Sequence, residues 1–343
     1  MMLTTNGKAI FNETIASGYP VPGRTIIYDN SETIDLDNVP LEGGILVKAL
    51  VLSVDPYFRG LMADKTDVPG FVLGEPLISY GIGLVLRSSS PAWVAGDNVY
   101  GMLLHQHYAV LPSSNLTSLR KIAKLSHLSW AAYLGAAGMP GLTAYSGWKE
   151  CALREGKGLA AFVTAASGPV GSMVVQLAKR AGYKVIASAG SDDKVEFVKR
   201  IGADVAFNYK AEDTEKVLSE HGPIDVYWDN VGGKTLEIAL SNANPGARFI
   251  ECGMVSVYNS EPYGVKNLHL LYTKHITLYG FTVMILGEKY LKEFLAEIPP
   301  QLASGELQHM EDLTYGLDKV GDAILAVQKG ENRGKAVVVV AEE

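Results

Sequence analysis

The chain has 343 residues, more than a single core comfortably serves, so length favours two domains or one domain with a large insertion. A content of 48% hydrophobic and 20% charged residues is that of an ordinary soluble globular protein and excludes a disordered or fibrous chain, while a net charge of -7 argues against a nucleic-acid surface. Two cysteines, Cys151 and Cys252, are too few for a disulfide framework or a four-thiolate zinc site, and a reducing, cytoplasmic setting is expected.

The opening segment MMLTTNGKAIFNE has no basic stretch followed by an apolar one, so secretion is not expected. The first 125 residues hold short β-rich runs such as GGILVKALVLSV and GIGLVLRS, broken by Pro and Gly, and read as an irregular β domain. From about residue 128, strands alternate with helices. The patterns predict strands at 159–165, 184–189, 204–208, 225–229, 247–252 and 276–281, and helices at 170–182, 192–201, 212–220, 233–242 and 287–303.

The run from Leu159 to Ala178 carries no charge over 20 residues, the length of a membrane span. Ser167, Gly168, Pro169 and Gly171 interrupt it, so a buried strand, turn and helix explains it better. Apolar strands alternating with helices imply a parallel sheet covered on both faces, the doubly wound α/β arrangement. The chain closes with GKAVVVVAE after a helix at 317–329, a strand that either extends this sheet or returns to the first domain.

Residues 166–171 read A-S-G-P-V-G, a dinucleotide fingerprint with alanine at the first glycine position. Ser167, Gly168, Pro169 and Val170 would let a pyrophosphate approach the amides that open the helix, and Gly171 would permit close helix–strand packing. The next strand ends in Ala189, Gly190 and Ser191, where an NAD enzyme would carry an acid for the adenosine ribose. Lys194 follows and favours a 2′-phosphate, hence NADPH over NADH. Against this stand Asp192 or Asp193 reaching back to the ribose, although acids there more often cap the helix, and a Lys194 that is simply a solvated surface residue.

The segments VDPYFRGLM (54–62), GMPGLTAYSG (138–147), AASGPVG (165–171), GSDDKVEFVKRIGADVAFNYK (190–210), YWDNVGG (227–233), ECGMVSVYN (251–259), GF (280–281) and ENRGKAVV (331–338) run in order along nearly the whole chain. Together they resemble the zinc-free branch of the medium-chain dehydrogenases and reductases, specifically the NADPH-dependent alkenal/one double-bond reductase (prostaglandin reductase, leukotriene B4 12-hydroxydehydrogenase) family. The resemblance implies a GroES-like catalytic domain at 1–127 and 305–343, a Rossmann NADPH-binding domain at 128–304, and a homodimer. It implies no metal. Neither cysteine lies in the first domain, and His105 and His107, a pair without a third ligand, are expected to be packed or exposed side chains.

The reaction implied is hydride transfer to the β-carbon of an α,β-unsaturated aldehyde or ketone, followed by protonation of the enolate. Tyr258 is the expected catalytic residue, donating a hydrogen bond to the enolate oxygen or relaying a proton, because a phenol stays protonated at neutral pH. The rival reading is a packed aromatic with its hydroxyl merely satisfied. Tyr57 and Tyr80 match substrate-pocket positions, with simple packing an equal alternative, and Arg59 is expected to pair with a neighbour such as Asp55.

The resemblance also places Met139, Thr143, Phe281 and Val283 around the nicotinamide, and Tyr209 near the phosphates beside Lys194. Asn230 falls against the nicotinamide ribose or pyrophosphate, Cys252 and Gly253 at the following strand end, and Asn332 at the carboxamide or a phosphate. For each glycine or asparagine the alternative is local turn chemistry. Val257, before Tyr258, and Leu61 replace more polar family residues, which would shift preference toward apolar or aryl enones. A quinone reductase, an allylic alcohol dehydrogenase and a cofactor-binding structural or regulatory protein remain the competing functions.

Overall fold

The computed structural model describes residues 3–64, 69–154 and 156–342. The chain divides into two compact units, one of residues 1–124, 129–134 and 311–343, the other of residues 125–128 and 135–310.

The second unit is a Rossmann-type doubly wound α/β fold. Its six-stranded sheet has the spatial order Val205–Asn208, Lys184–Ala189, Ala160–Val163, Ile224–Asp229, Ala243–Glu251, Thr277–Gly280, with every neighbouring pair parallel. The strands Ala160–Val163 and Ile224–Asp229 are buried at every residue, which explains why they read as unbroken apolar runs. Strand Ala243–Glu251 begins four residues before its expected start. Pro245 and Gly246 break the sequence pattern, yet pairing resumes after a register shift between Ile224 and Val226.

Helix Pro169–Arg180 accounts for the uncharged run. Proline occupies its first turn, Met173, Val174, Val175 and Ala178 turn inward, and Gly182 at φ +83° follows its end. Helix Val283–Ala303 starts four residues earlier than expected, because the apolar TVMIL that opens it has no helical periodicity to read. Among the described residues no helix is long and apolar enough to cross a membrane.

The first unit is β-rich. Seven strands form its main sheet, the longest being Ile45–Ser53 and Ile78–Ser88, and its described α-helices are the four-residue Phe58–Leu61 and Val320–Gln328. The tail strand Lys335–Val339 joins this sheet, antiparallel to Ile45–Ser53 and parallel to Glu311–Tyr315, so the closing strand returns to the β-rich unit. Side chains including Phe11, Phe58, Leu77, Trp93, Ile324 and Val338 make its core.

One expectation fails here. Asp55 pairs with Lys335, whose Nζ donates to Asp55 Oδ1 at 2.6 Å and to the Val54 carbonyl at 2.8 Å, while Ser53 Oγ donates to Asp55 Oδ2. Arg59 instead donates from Nε to the Gly18 carbonyl at 2.8 Å. The antiparallel pairing of the tail sets the lysine against the aspartate.

Candidate active site

In the Rossmann unit, the turn after Ala160–Val163 bends at Ala165, with φ +46°. The left-handed position thus lies one residue before Ala166, so alanine is tolerated where the fingerprint has its first glycine. The amide of Ala166 donates to the Ser188 carbonyl at 2.9 Å, and that of Gly168 to the Ala165 carbonyl at 3.0 Å. Gly168 caps helix Pro169–Arg180 with extended backbone, Ser167 beside it is buried, and Pro169 brings no amide hydrogen. Val170 and Gly171 then present first-turn amides that helix geometry leaves without intrahelical acceptors. A Cβ on Gly171 would lie 2.5 Å from the Ala165 carbonyl oxygen and 2.8 Å from Ala166 Cα, so only glycine lets helix and turn approach this closely.

At the neighbouring strand ends, a Cβ on Gly190 would stand 3.2 Å from the Tyr209 hydroxyl, which places Tyr209 over the Gly190–Ser191 turn. Lys194, in the first turn of helix Asp192–Arg200, is only 7% exposed and is not a solvated surface lysine. Asp193 accepts from Ser191 Oγ at 2.6 Å and Asp192 from Asn208 Nδ2 at 2.8 Å, so both acids are engaged at the helix start.

The ends of strands Ile224–Asp229 and Ala243–Glu251 carry the next cluster. Asn230 ties neighbouring strand ends together, its Nδ2 donating to the Thr164 carbonyl at 2.7 Å and its Oδ1 accepting from Trp228 Nε1 at 3.3 Å. The amides of Cys252 and Gly253 both donate to the Asp229 carbonyl, those of Val255 and Ser256 to the carbonyls of Asn230 and Val231. This ladder leads to Tyr258. A Cβ on Gly253 would be 3.8 Å from both the Asn230 carbonyl oxygen and the Tyr258 hydroxyl, so Cys252, Gly253, Asn230 and Tyr258 share one corner. Burial first, then Cys252, raise the Tyr258 phenol above its ordinary value. Burial also pushes the Cys252 thiol up to about 12, with Asp229 adding to the effect, so it stays an unreactive thiol.

The remaining residues of this unit serve packing in visible ways. Thr143 turns its hydroxyl onto the Met139 carbonyl at 2.8 Å within helix Met139–Gly147. Phe281 packs edge-on against Trp228, with ring centroids 5.8 Å apart, and over Gly147, while Val283 opens the following helix.

In the β-rich unit, Tyr57 packs edge-on against Phe58, and Tyr80 stacks on Tyr100 at 5.6 Å with the Arg120 guanidinium 4.6 Å from the Tyr100 ring. Burial, then Asp55, Tyr80 and Tyr100, raise the Tyr57 phenol; burial raises Tyr80 against the pull of Arg120. Tyr80 and Tyr100 thus form a stacked pair, and the charge of Asp55 raises both the Tyr57 and the Tyr80 phenol. Tyr100 escaped the sequence reading, its only signal being a place on the strand paired with that of Tyr80. Asn332 closes a local turn onto the Gly334 carbonyl at 2.8 Å.

His105 is fully buried, with Nε2 2.8 Å from Ser79 Oγ, and burial drops its pKa to about 3. His107 lies beside Tyr108. Among the described residues no group of three or more His, Cys, Asp or Glu side chains is placed to hold a metal ion.

Residues 169–298 match the family model described as "Zinc-binding dehydrogenase" and residues 32–119 that described as "N-terminal domain of oxidoreductase". The chain is 38% identical to a 2-alkenal reductase (NADP(+)-dependent) of Nicotiana tabacum, over 98% of each chain. It is 41% identical to a (+)-pulegone reductase of Mentha piperita, over 88% of this chain and 89% of that one. The crystal structure of CurA from Vibrio vulnificus in complex with NADPH superposes with a TM-score of 0.88 at 30% identity, over 98% of this chain and 100% of that one. The chain belongs to the medium-chain dehydrogenases and reductases, and within them to the NADPH-dependent alkenal/one double-bond reductase family.

Proposed function

We propose that the protein is an NADPH-dependent ene-reductase that saturates the C=C bond of α,β-unsaturated aldehydes and ketones. The observation that carries the reading is the corner where the Tyr258 hydroxyl, kept protonated by burial, stands beside Gly253 and Asn230 at the carboxyl ends of parallel strands. Ligands of doubly wound sheets lie at such ends.

The residues fit a phosphorylated dinucleotide. First-turn amides of Val170 and Gly171 suit a pyrophosphate, and Gly168 and Gly171 keep side chains out of its path. Lys194 and the half-exposed Tyr209, with Gly190 and Ser191, suit the adenosine 2′-phosphate. Met139, Thr143, Asn230, Cys252, Gly253, Phe281, Val283 and Asn332 are the proposed nicotinamide-side residues. The reduced nicotinamide supplies the hydride.

The protein's own task is then electrostatic. Charge develops on the substrate carbonyl oxygen, and Tyr258 donates a hydrogen bond to it, the more strongly because burial excludes competing water. The α-carbon takes a proton from water or from Tyr258. Tyr57 and Tyr80 are proposed to bind the apolar part of the substrate. The subunits are proposed to pair as homodimers.

Incubation with NADPH and a panel of enones, enals and quinones tests the function. Loss of the reduced-nicotinamide absorbance with enones, giving saturated carbonyl products, supports it. Turnover confined to quinones, or NADPH binding without turnover, rejects it.

A further inference from the structure

Asp229 and Glu251 stand opposite one another in register on adjacent parallel strands, and Tyr227 lies two residues before Asp229 on the same face. Asp229 is fully buried, and its Oδ1 accepts from the amides of Val231 at 2.8 Å and Gly232 at 2.7 Å and from Thr164 Oγ1 at 3.4 Å. Its Oδ2, both carboxyl oxygens of Glu251 and the Tyr227 hydroxyl are buried without a well-formed hydrogen bond, and the Tyr227 hydroxyl lies beside the Asp229 carboxylate. Two facing carboxylates in such a place would each be desolvated and would repel one another. Asp229 has amides aimed at it and suits the charged form. Glu251 has none and suits the neutral acid, whose O–H needs an acceptor; the Asp229 carboxylate, opposite it in register, is the acidic group that acts on it.

The pair sits at the root of the segment that carries Tyr258. Cys252 and Gly253 follow Glu251 directly and hang by their amides from the Asp229 carbonyl, and Val255 and Ser256 hang from the next two carbonyls.

We propose that Glu251 is a positioning residue: it holds a proton at neutral pH, donates it to the Asp229 carboxylate, and so keeps the two strand ends together beneath the 252–258 segment and Tyr258. The consequence for turnover rests on Tyr258 being the donor to the enolate.

The surrounding charges leave Asp229 as the group that governs Glu251. Burial and then Asp229 push Glu251 up to about 8, and burial raises Asp229 against its amide donors. Tyr227 on the same strand and Cys252 next in sequence are both raised by burial and by Asp229, hence neutral. On the elements covering this face, Glu237 accepts from Tyr263 and from the Lys266 amide, and Lys274 donates to the carbonyls of Leu240, Ser241 and Ala243. Glu215, Lys216, Glu220, His221, Lys234, His269 and Tyr272 are the other titratable groups of those elements. Arg248 of the same strand donates to the carbonyls of Cys151 and Leu153. Once Glu251 loses its proton, two like charges face each other across the register and drive the strand ends apart.

Infrared spectroscopy of the full chain reads the proton directly. The wild type should show a protonated carboxylic-acid C=O stretch at neutral pH that fades as pH rises through about 8, and Glu251→Gln should lack it. Asp229→Asn, whose amide oxygen still accepts from Val231 and Gly232, removes the opposing charge and should move the fading to lower pH. With NADPH and an enone, wild-type kcat should fall over the same alkaline range with KM little changed. Glu251→Ala should lose kcat at neutral pH, and Glu251→Gln should restore it without the alkaline fall. Absence of the acid band at neutral pH, or an unchanged alkaline fall in Glu251→Gln, overturns the proposal. If Tyr258→Phe turns over normally while the band behaves as described, it is the role of Tyr258 that fails and not the shared proton.

Discussion

Asn230 and Thr164 bind each other twice: the Asn230 amide donates to Thr164 Oγ1 at 2.9 Å and Asn230 Nδ2 to the Thr164 carbonyl at 2.7 Å. Thr164 is fully buried, so these contacts lock the carboxyl ends of Ala160–Val163 and Ile224–Asp229 with no water to replace them. Replacing Asn230 by alanine leaves that carbonyl without its side-chain donor, a loss of about 1–3 kcal/mol. Urea unfolding of Asn230→Ala should show a lower midpoint with unchanged slope, and titration should show weaker NADPH binding. An unchanged midpoint would mean the strand ends are held by something else.

Lys194 distinguishes the two nicotinamide cofactors. A charge-assisted contact to a 2′-phosphate contributes about 1.5–3 kcal/mol, so Lys194→Ala should raise the Michaelis constant for NADPH about tenfold to a hundredfold and leave that for NADH nearly unchanged. Equal effects on both cofactors would remove the 2′-phosphate from its role.

Tyr258→Phe should lower turnover while leaving NADPH affinity almost intact, because the hydroxyl acts on the enolate and not on the cofactor. Loss of one preorganised donor to a developing oxyanion amounts to about 100-fold to 1,000-fold in the larger cases. An unaltered rate would move the enolate contact elsewhere, for instance to the nicotinamide ribose hydroxyl.

His105 supplies an acid limit to stability. Its folded value of about 3 lies below the ordinary unfolded value of about 6.5, because burial disfavours the imidazolium. The unfolded chain therefore binds the extra proton between those values. The contribution is fully present above the unfolded value and is lost as pH falls toward the folded one. Thermal unfolding across that window should show a steeper loss for the wild type than for His105→Gln, whose amide can still bond to Ser79. Parallel curves would mean that His105 is charged or exposed in the fold.

What could be read from the sequence was local. Strand-helix alternation, the proline that opens helix Pro169–Arg180 and the glycine needed at position 171 each show in a few adjacent residues, and they located the Rossmann unit and its anion turn. Long-range pairing did not show. Asp55 takes Lys335 from 280 positions away while Arg59, four residues on, turns to Gly18. Glu251 carries no sequence signal beyond its place in an expected strand, and only the register reveals Asp229 opposite it. Lys194 likewise carried no mark of its burial, which comes from folding its helix back onto the sheet.

The fate of the transferred hydride tests the central claim most directly. NADPH deuterated at the transferable position of C4 is incubated with the enzyme and an enone, and the product is read by NMR. Deuterium on the β-carbon of a saturated product with its carbonyl intact is the predicted result. Deuterium on the former carbonyl carbon, in an allylic alcohol, would contradict it.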